Sequence, residues 1–185
     1  MTTYQNILTE VDAGVGIVTL NRPERHNAFD DAMIAELSDA MAAMASDTDV
    51  RVVVISSIGK SFCAGADLGW MQRAAAFSLD ENRRDAGELA EMLRRIADCP
   101  KPVIARVQGP AYGGGVGVIA ACDMAVATFE SRFALTEVKL GLIPAVIGPH
   151  VLAAIGERYA RRYMLTAEVF SAAEAYRIGL LHEMV

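Results

Sequence analysis

The sequence is poor in the features that mark several large protein classes. It contains only three cysteines, Cys63, Cys99 and Cys122, which are odd in number, widely spaced and outside any C-x-x-C or His/Cys ligand pattern. This argues against a disulfide framework, predicts no bound metal, and favours a reducing, cytoplasmic location. The start of the chain also lacks the basic and apolar segments of a signal peptide.

Long apolar runs and basic clusters are missing too. No apolar run reaches membrane-spanning length, so no membrane partner is expected. The formal net charge is −6, and the densest basic features are isolated arginine pairs. Nucleic-acid binding depends on concentrated positive charge, so we expect no nucleic-acid partner, while a small anionic ligand remains compatible. The arginine pairs are Arg83-Arg84, Arg94-Arg95 and Arg161-Arg162.

What the sequence does contain is an apolar chain with alternating patterns. Its 185 residues are 53% hydrophobic, enough for one domain over residues 1–185 with a sizeable core. Because strands alternate with helices, we predict an α/β fold. The predicted strands are Ile7–Val11, Gly16–Asn21, Val50–Ser56, Val103–Val107, Met124–Ala127 and Phe133–Leu135. The predicted helices are one capped by Asp30 and ending at Asp47–Asp49, then Asp67–Ala76, Ser78–Asp98, a small-residue run from Gly113 to Cys122, Val151–Ile155, Arg158–Leu165 and Ala172–Arg177.

Two glycine-bearing loops each follow a predicted buried strand. Gly113-Gly114-Gly115 comes after Val103–Val107, and Cys63–Asp67 comes after Val50–Ser56. Ligands of parallel sheets bind beyond the carboxyl ends of the strands, and glycine leaves backbone N–H groups unobstructed. Two such donors aimed at one oxygen would form an oxyanion hole. The alternative is close helix–strand packing with no ligand.

Glu137 is the candidate acid or base. It follows a short predicted strand in the apolar setting Phe133–Val138. Partial burial would raise its pKa and suit it to proton transfer near neutral pH. The alternative is an ordinary surface glutamate at a strand end.

A dinucleotide site is a competing interpretation of the same glycines. Gly115–Ala120 matches G-x-G-x-x-A. However, Gln108–Tyr112 separates the glycines from the strand, and the next strand starts too soon for a full crossover helix. The three histidines, His26, His150 and His182, are far apart and accompany no nucleophile motif, so each is expected on a loop or helix surface.

Several motifs together resemble one known family, the enoyl-CoA hydratase/isomerase (crotonase) superfamily. The resemblance implies a crotonase-like spiral of ββα units and an acyl-CoA thioester as partner. Coenzyme A is then part of the substrate, so no separate cofactor is expected. The matching segments, in family order, are Leu20–Ala28, Ser61–Leu68, Gly109–Gly115, Cys122-Asp123 and Phe133–Pro144.

The resemblance also implies roles for individual residues. The N–H groups of Ala66 and Gly114 would bind the thioester carbonyl, and Glu137 would move the proton. Arg25 and Ala28 would contact the nucleotide end of CoA. The implied substrate-binding residues are Arg25, Ala28, Ala64, Ala66, Asp67, Leu68, Gly69, Gly114 and Gly117.

Two features depart from the family pattern. Gly117 stands where many family hydratases carry a second glutamate, so Glu137 would act alone, and the glycine would leave room for a branched acyl chain. The segments Gly65–Met71 and Ile143–Ile147 are similar to those of bacterial methylglutaconyl-CoA and isohexenylglutaconyl-CoA hydratases. The chain stops at Val185, so we expect it to lack the C-terminal helices through which family members form homotrimers or dimers of trimers.

These observations predict a hydro-lyase that hydrates an α,β-unsaturated acyl-CoA, of the branched glutaconyl type. Two alternatives stay open. One is an enoyl-CoA isomerase or decarboxylase on the same scaffold, and the other is an acyl-CoA-binding protein without chemistry.

Overall fold

The computed structural model describes residues 4–185, which form two β-sheets with helices packed against them. Six strands make one sheet in the order β1-β2-β3-β4-β6-β9, and three short strands make a second in the order β5-β7-β8. The strands are β1 (Ile7–Asp12), β2 (Val15–Leu20), β3 (Val52–Ser57), β4 (Val103–Val107), β5 (Ala111–Tyr112), β6 (Met124–Ala127), β7 (Arg132–Ala134), β8 (Phe170–Ser171) and β9 (Glu183–Met184).

The large sheet is parallel apart from the first hairpin. β1 pairs antiparallel with β2, and the remaining neighbours of the sheet all pair in parallel. Val53 and Ile55 of β3 are fully buried, as the β-branched run Val50–Ser56 predicts for a central strand. The carboxyl ends of β3 and β4, from which both glycine loops leave, therefore lie at the same edge of the sheet.

Helices connect the strands and cover the sheet. They are α1 (Asp31–Ser46), α2 (Leu68–Ala74), α3 (Leu79–Ala97), α4 (Gly114–Ala121), α5 (Gly148–Thr166) and α6 (Ala172–Arg177), with 3₁₀ turns at Pro23–Arg25 and Glu137–Leu140. The Asp30 side chain accepts the N–H of Met33 at 2.9 Å and caps α1 as predicted. Ser78 and Glu81 form a reciprocal capping box that starts α3.

The C-terminal half differs in detail from the prediction. The two helices predicted at Val151–Ile155 and Arg158–Leu165 form one element, α5, which is interrupted at Gly156 (φ 74°, ψ 158°). α5 begins earlier than predicted because Pro149 lies in its first turn, where a missing N–H costs little. The two-residue strands β5, β8 and β9 were not predicted.

Two absences hold for the part of the chain that the structure describes. Over residues 4–185, no helix is both long and apolar enough to cross a bilayer. Within the same range, no group of three or more His, Cys, Asp or Glu side chains is arranged to hold a metal ion.

Candidate active site

A β-bridge joins the two glycine loops. Cys63 pairs in parallel with Ala111, and the N–H of Tyr112 donates to the carbonyl oxygen of Cys63 at 2.9 Å. Gly115 lies so close to this strand end that an added Cβ would be 2.6 Å from the same oxygen. Glycine at 115 is therefore required for the close approach of the loops, which confirms part of the packing interpretation.

A buried asparagine holds the Cys63–Asp67 loop from the other side. The Asn27 side chain is fully buried and donates to the carbonyl oxygens of Ile58 at 2.8 Å and Ser61 at 2.9 Å. The N–H of Phe29 donates to the oxygen of Gly65 at 2.7 Å. The sequence predicted only a loop here, because nothing in a single Asn indicates burial.

The amides of Ala66 and Gly114 are unpaired at this junction. Within residues 4–185, no carbonyl or side chain accepts a hydrogen bond from either N–H. Gly114 is the first residue of α4, so its N–H has no acceptor inside the helix. Ala66 is exposed and Gly114 half-buried, and a Cβ built on Gly65 would lie 3.7 Å from the Gly114 nitrogen. Both N–H groups are therefore free to bind a ligand oxygen near the contact between Gly65 and Gly114.

Glu137 is brought to this junction by the second sheet. β5 pairs in parallel with β7, and the N–H of Gly113 donates to the oxygen of Ala134 at 2.9 Å. Three residues after Ala134, the Oε1 atom of Glu137 lies 3.2 Å from where a Cβ of Gly113 would stand. The carboxyl group therefore packs against the backbone of the triple-glycine loop.

The other carboxylate oxygen of Glu137 has no partner. Its Oε2 is the one buried side-chain nitrogen or oxygen in residues 4–185 that lacks a hydrogen bond. Leaving such an atom unpaired costs free energy, which makes it a candidate functional group. Desolvation by burial raises the pKa of Glu137, while a contact with its own N–H acts weakly in the opposite direction. The raised pKa agrees with the prediction and suits a group that exchanges protons.

The loops and Glu137 line a cavity of about 830 Å³. Its apolar wall includes Phe29, Trp70, Met71, Leu89, Val146 and Ile147. The polar side chains on the wall are those of Asn82, Asp85, Thr136 and Glu137, and no Lys or Arg of the described chain lines it. An apolar cavity with a few placed polar groups is typical of a small-molecule site.

The predicted site residues divide into two groups. Ala64, Ala66, Leu68, Gly114 and Glu137 line the cavity. Those that do not line it are Arg25, Ala28, Asp67, Gly69 and Gly117.

Asp67, which the resemblance implies as a substrate-binding residue, has a structural role at the start of α2. Its side chain accepts the N–H groups of Gly69 at 2.8 Å and Trp70 at 3.1 Å and so caps α2, and it faces Arg22 at 3.6 Å. Desolvation works to raise the pKa of Asp67, but the two amides and the arginine together hold it below its ordinary range.

The expectation that Gly117 leaves room for an acyl chain is wrong. Gly117 is buried, and the space beside its Cα is filled by Ile147, whose Cβ would be 2.7 Å from an added Cβ. Ile147, which the sequence did not single out as a site residue, is the one that lines the cavity. No periodicity or motif links residues thirty positions apart, so only the fold reveals this contact.

Two other observations complete the site. None of the three histidines lines the cavity, in agreement with the prediction. The indole N–H of Trp70 donates to Asp85 Oδ1 at 3.1 Å, which joins α2 to α3 along the cavity wall. The sequence placed Trp70 on a helix but did not indicate this partner.

Comparison with known proteins finds close relatives over nearly the whole chain. The profile of the enoyl-CoA hydratase/isomerase family matches residues 10–185. Crotonyl-CoA hydratase of Syntrophomonas wolfei is 36% identical over 185 residues, which cover 98% of this chain and 70% of the relative. (E)-Benzylidenesuccinyl-CoA hydratase of Thauera aromatica is 35% identical over 181 residues, covering 97% of this chain and 69% of the relative.

Solved structures show the same similarity. An enoyl-CoA hydratase from Shewanella pealeana has a TM-score of 0.96 at 41% identity, covering 98% of this chain and 68% of that one. Pseudomonas aeruginosa AtuE has a TM-score of 0.94 at 37% identity, covering 98% of this chain and 70% of that one. The α/β crotonase-like fold implied by the sequence is therefore confirmed.

Proposed function

Because the chain belongs to the enoyl-CoA hydratase/isomerase family, we propose that it adds water across the double bond of an α,β-unsaturated acyl-CoA. The observation that carries the proposal is the buried, unpartnered Oε2 of Glu137 beside the free amides of Ala66 and Gly114. This combination provides donors for an oxygen that becomes negative and a base for water.

The proposed mechanism uses these three groups. The thioester carbonyl oxygen accepts the N–H groups of Ala66 and Gly114, which stabilise the enolate that forms when oxygen adds to the β-carbon. Glu137 takes a proton from the attacking water. That proton is then delivered to the α-carbon, which balances the addition of one water. Since no carboxylate stands at residue 117, Glu137 serves both proton transfers.

The coenzyme A portion is proposed to leave the cavity past the Cys63–Asp67 loop. Ala64 and Leu68 line the cavity there, and Leu68 is exposed. Arg25 is exposed on the neighbouring 3₁₀ turn, where its guanidinium could pair with the phosphates of the nucleotide. Asp67 and Gly69 form the cap that starts α2. The carbonyl oxygen of Ala28 accepts a hydrogen bond from the guanidinium of Arg22, which also faces Asp67.

We further propose a branched glutaconyl acyl group, as in 3-methylglutaconyl-CoA or isohexenylglutaconyl-CoA. The support is the sequence similarity of Gly65–Met71 and Ile143–Ile147 to such hydratases, together with the size of the cavity. Asn82 lines this wall, but its amide already donates to the carbonyl oxygens of Phe77 and Ser78, each at 3.2 Å, and Asp85 on the same wall opposes the charge of such an acyl group. Comparison of charged and neutral acyl groups is therefore the decisive test of this finer proposal.

A second reaction is favoured by the single carboxylate beside the amides. One base can move a proton between the α- and γ-carbons of an enoyl thioester, and a protein that catalyses only this step is an isomerase. Decarboxylation of an acyl-CoA would likewise need only the enolate-stabilising amides.

One substrate panel distinguishes hydration from isomerisation and from binding without chemistry. The protein is incubated with crotonyl-CoA, 3-methylglutaconyl-CoA and a 3-enoyl-CoA, and absorbance of the conjugated enoyl thioester is followed. We expect absorbance to fall with the first two and turnover to be faster with the glutaconyl ester. A rise with the 3-enoyl ester alone would make the protein an isomerase, and tight binding without turnover of any ester would make it a binding protein. Faster turnover of crotonyl-CoA would overturn the glutaconyl proposal alone.

The assembly and location stay predictions. The resemblance alone supports the homotrimer or dimer of trimers, which is expected when the family's C-terminal helices are present. The unpaired cysteines alone support the cytoplasmic location.

A further inference from the structure

Ile147 stands between helix α4 and the cavity. It is the last residue before α5, only 3% exposed, and on the cavity wall with Gly114 and Glu137. Behind it lies Gly117 of α4. An added Cβ on Gly117 would collide with Ile147 Cγ2 and stand 2.7 Å from Ile147 Cβ. Real Cβ atoms essentially never approach so closely, so one side would have to move.

The element that would move is the one carrying Ile147. Gly117 is held within α4, where its N–H donates to Gly113 at 3.2 Å, and α4 is fixed at its start by Gly115 against Cys63. Ile147 follows the exposed segment 141–143, and its open side is the cavity. Any side chain at 117 would therefore push Ile147 into the space for substrate.

We infer that Gly117 and Ile147 form a matched pair that sets the depth of the acyl end of the cavity. Ile147 is the specificity-determining residue, and Gly117 is a positioning residue that acts through it. The space they control is bounded by apolar side chains such as Phe29 and Val146, so a smaller residue at 147 admits alkyl branches rather than charged groups. The inference rests on the proposed function in taking an acyl-CoA as the ligand of this cavity.

The first test measures binding without turnover. Titration calorimetry is performed with butyryl-CoA and with a longer, branched saturated acyl-CoA, neither of which can be hydrated. Ile147→Ala is expected to shift the affinity ratio toward the branched ester by at least about tenfold, the lower end of the effect of one methylene group in an apolar pocket. The control Ile58→Ala, an isoleucine outside the cavity wall, should leave the ratio unchanged. Equal effects of Ile147→Ala on both esters would overturn the inference.

The second test is a double-mutant cycle. Gly117→Ala alone is expected to lower both the melting temperature and the affinity for butyryl-CoA. Adding Ile147→Gly removes both colliding atoms, Cγ2 and Cβ, and leaves the Cα at 3.8 Å. Because the collision is gone, the double variant should lose less than the sum of the losses of the two single variants. A Gly117→Ala protein that matches the parent, or losses in the double variant that simply add, would contradict the pairing. If binding shifts as stated but no enoyl-CoA is hydrated, the proposed function fails and this inference stands.

Discussion

The carboxyl group of Glu137 is in a different environment from other glutamates of the chain. Hydrogen bonds from arginine lower the pKa of Glu91 and of Glu174 to about 2, and both therefore stay charged. Among residues 4–185, no cation pairs with Glu137, and one of its buried oxygens has no partner, so desolvation raises its pKa above the ordinary value of 4.5. Its pKa is therefore shifted in the direction opposite to that of the other two, which suits a group that exchanges protons.

The raised pKa predicts the pH dependence of hydration. The reaction needs the charged form of Glu137, so kcat should fall as the pH drops through the raised pKa, at a pH above 4.5. The sign for stability is the opposite. The pKa of Glu137 is higher in the folded protein than in the unfolded chain, so the group stabilises the fold at a pH below its pKa in the unfolded chain. This stabilisation is lost as the pH rises through the pKa of the folded state. A pH series of kcat and of melting temperature measures both, and a kcat that stays flat below 4.5 would contradict the role.

The role of the Gly114 N–H can be tested by comparing a variant that removes it with a variant that keeps it. Gly114→Ala keeps the N–H and adds a Cβ that contacts the Phe29 ring at 3.2 Å. Gly114→Pro removes the N–H at the first position of α4, where a helix tolerates proline. We expect proline to lower kcat by about 100-fold, equivalent to about 3 kcal/mol of barrier, and to exceed the effect of alanine. Equal rates for the two variants would show that this amide does not bind the carbonyl.

At the scale of elements, the short strand β5 organises the site. It contacts Cys63 on one side and β7 on the other, and so brings both glycine loops and Glu137 to one place. The sequence predicted the strands and loops on either side but not β5. Two residues are too short for a periodic pattern, and the bonding partners of β5 lie far away in sequence.

Two glycine substitutions distinguish the close packing of the two glycine loops from the general effect of replacing glycine by alanine in a helix. Gly115→Ala places a Cβ 2.6 Å from a backbone oxygen of Cys63, which cannot move as a flexible side chain could. We expect loss of several degrees in melting temperature and of most activity. Gly87→Ala is the control, since nothing lies within 4 Å of its added Cβ on the exposed face of α3. It should raise stability by about 0.5–1 kcal/mol, and equal melting temperatures for both variants would contradict the account.

At the scale of the whole molecule, the cavity combines segments that are distant in sequence. Local signals predicted most of the helices, one of them capped by Asp30, the buried strands, the loop at Gly114 and the candidate acid or base Glu137. They could not show that Ile147 fills the space beside Gly117. Such a contact depends on which elements become neighbours, and that is decided by the packing of the complete core.

The most direct test of the whole account compares the parent protein with Glu137→Gln. Loss of enoyl thioester absorbance measures hydration, and calorimetry with a saturated acyl-CoA measures binding. We expect the glutamine variant to keep the affinity of the parent while its turnover falls by at least about 100-fold, because the amides remain and the base is gone. Turnover close to that of the parent, with binding intact, would contradict the assignment of Glu137 as the group that moves the proton.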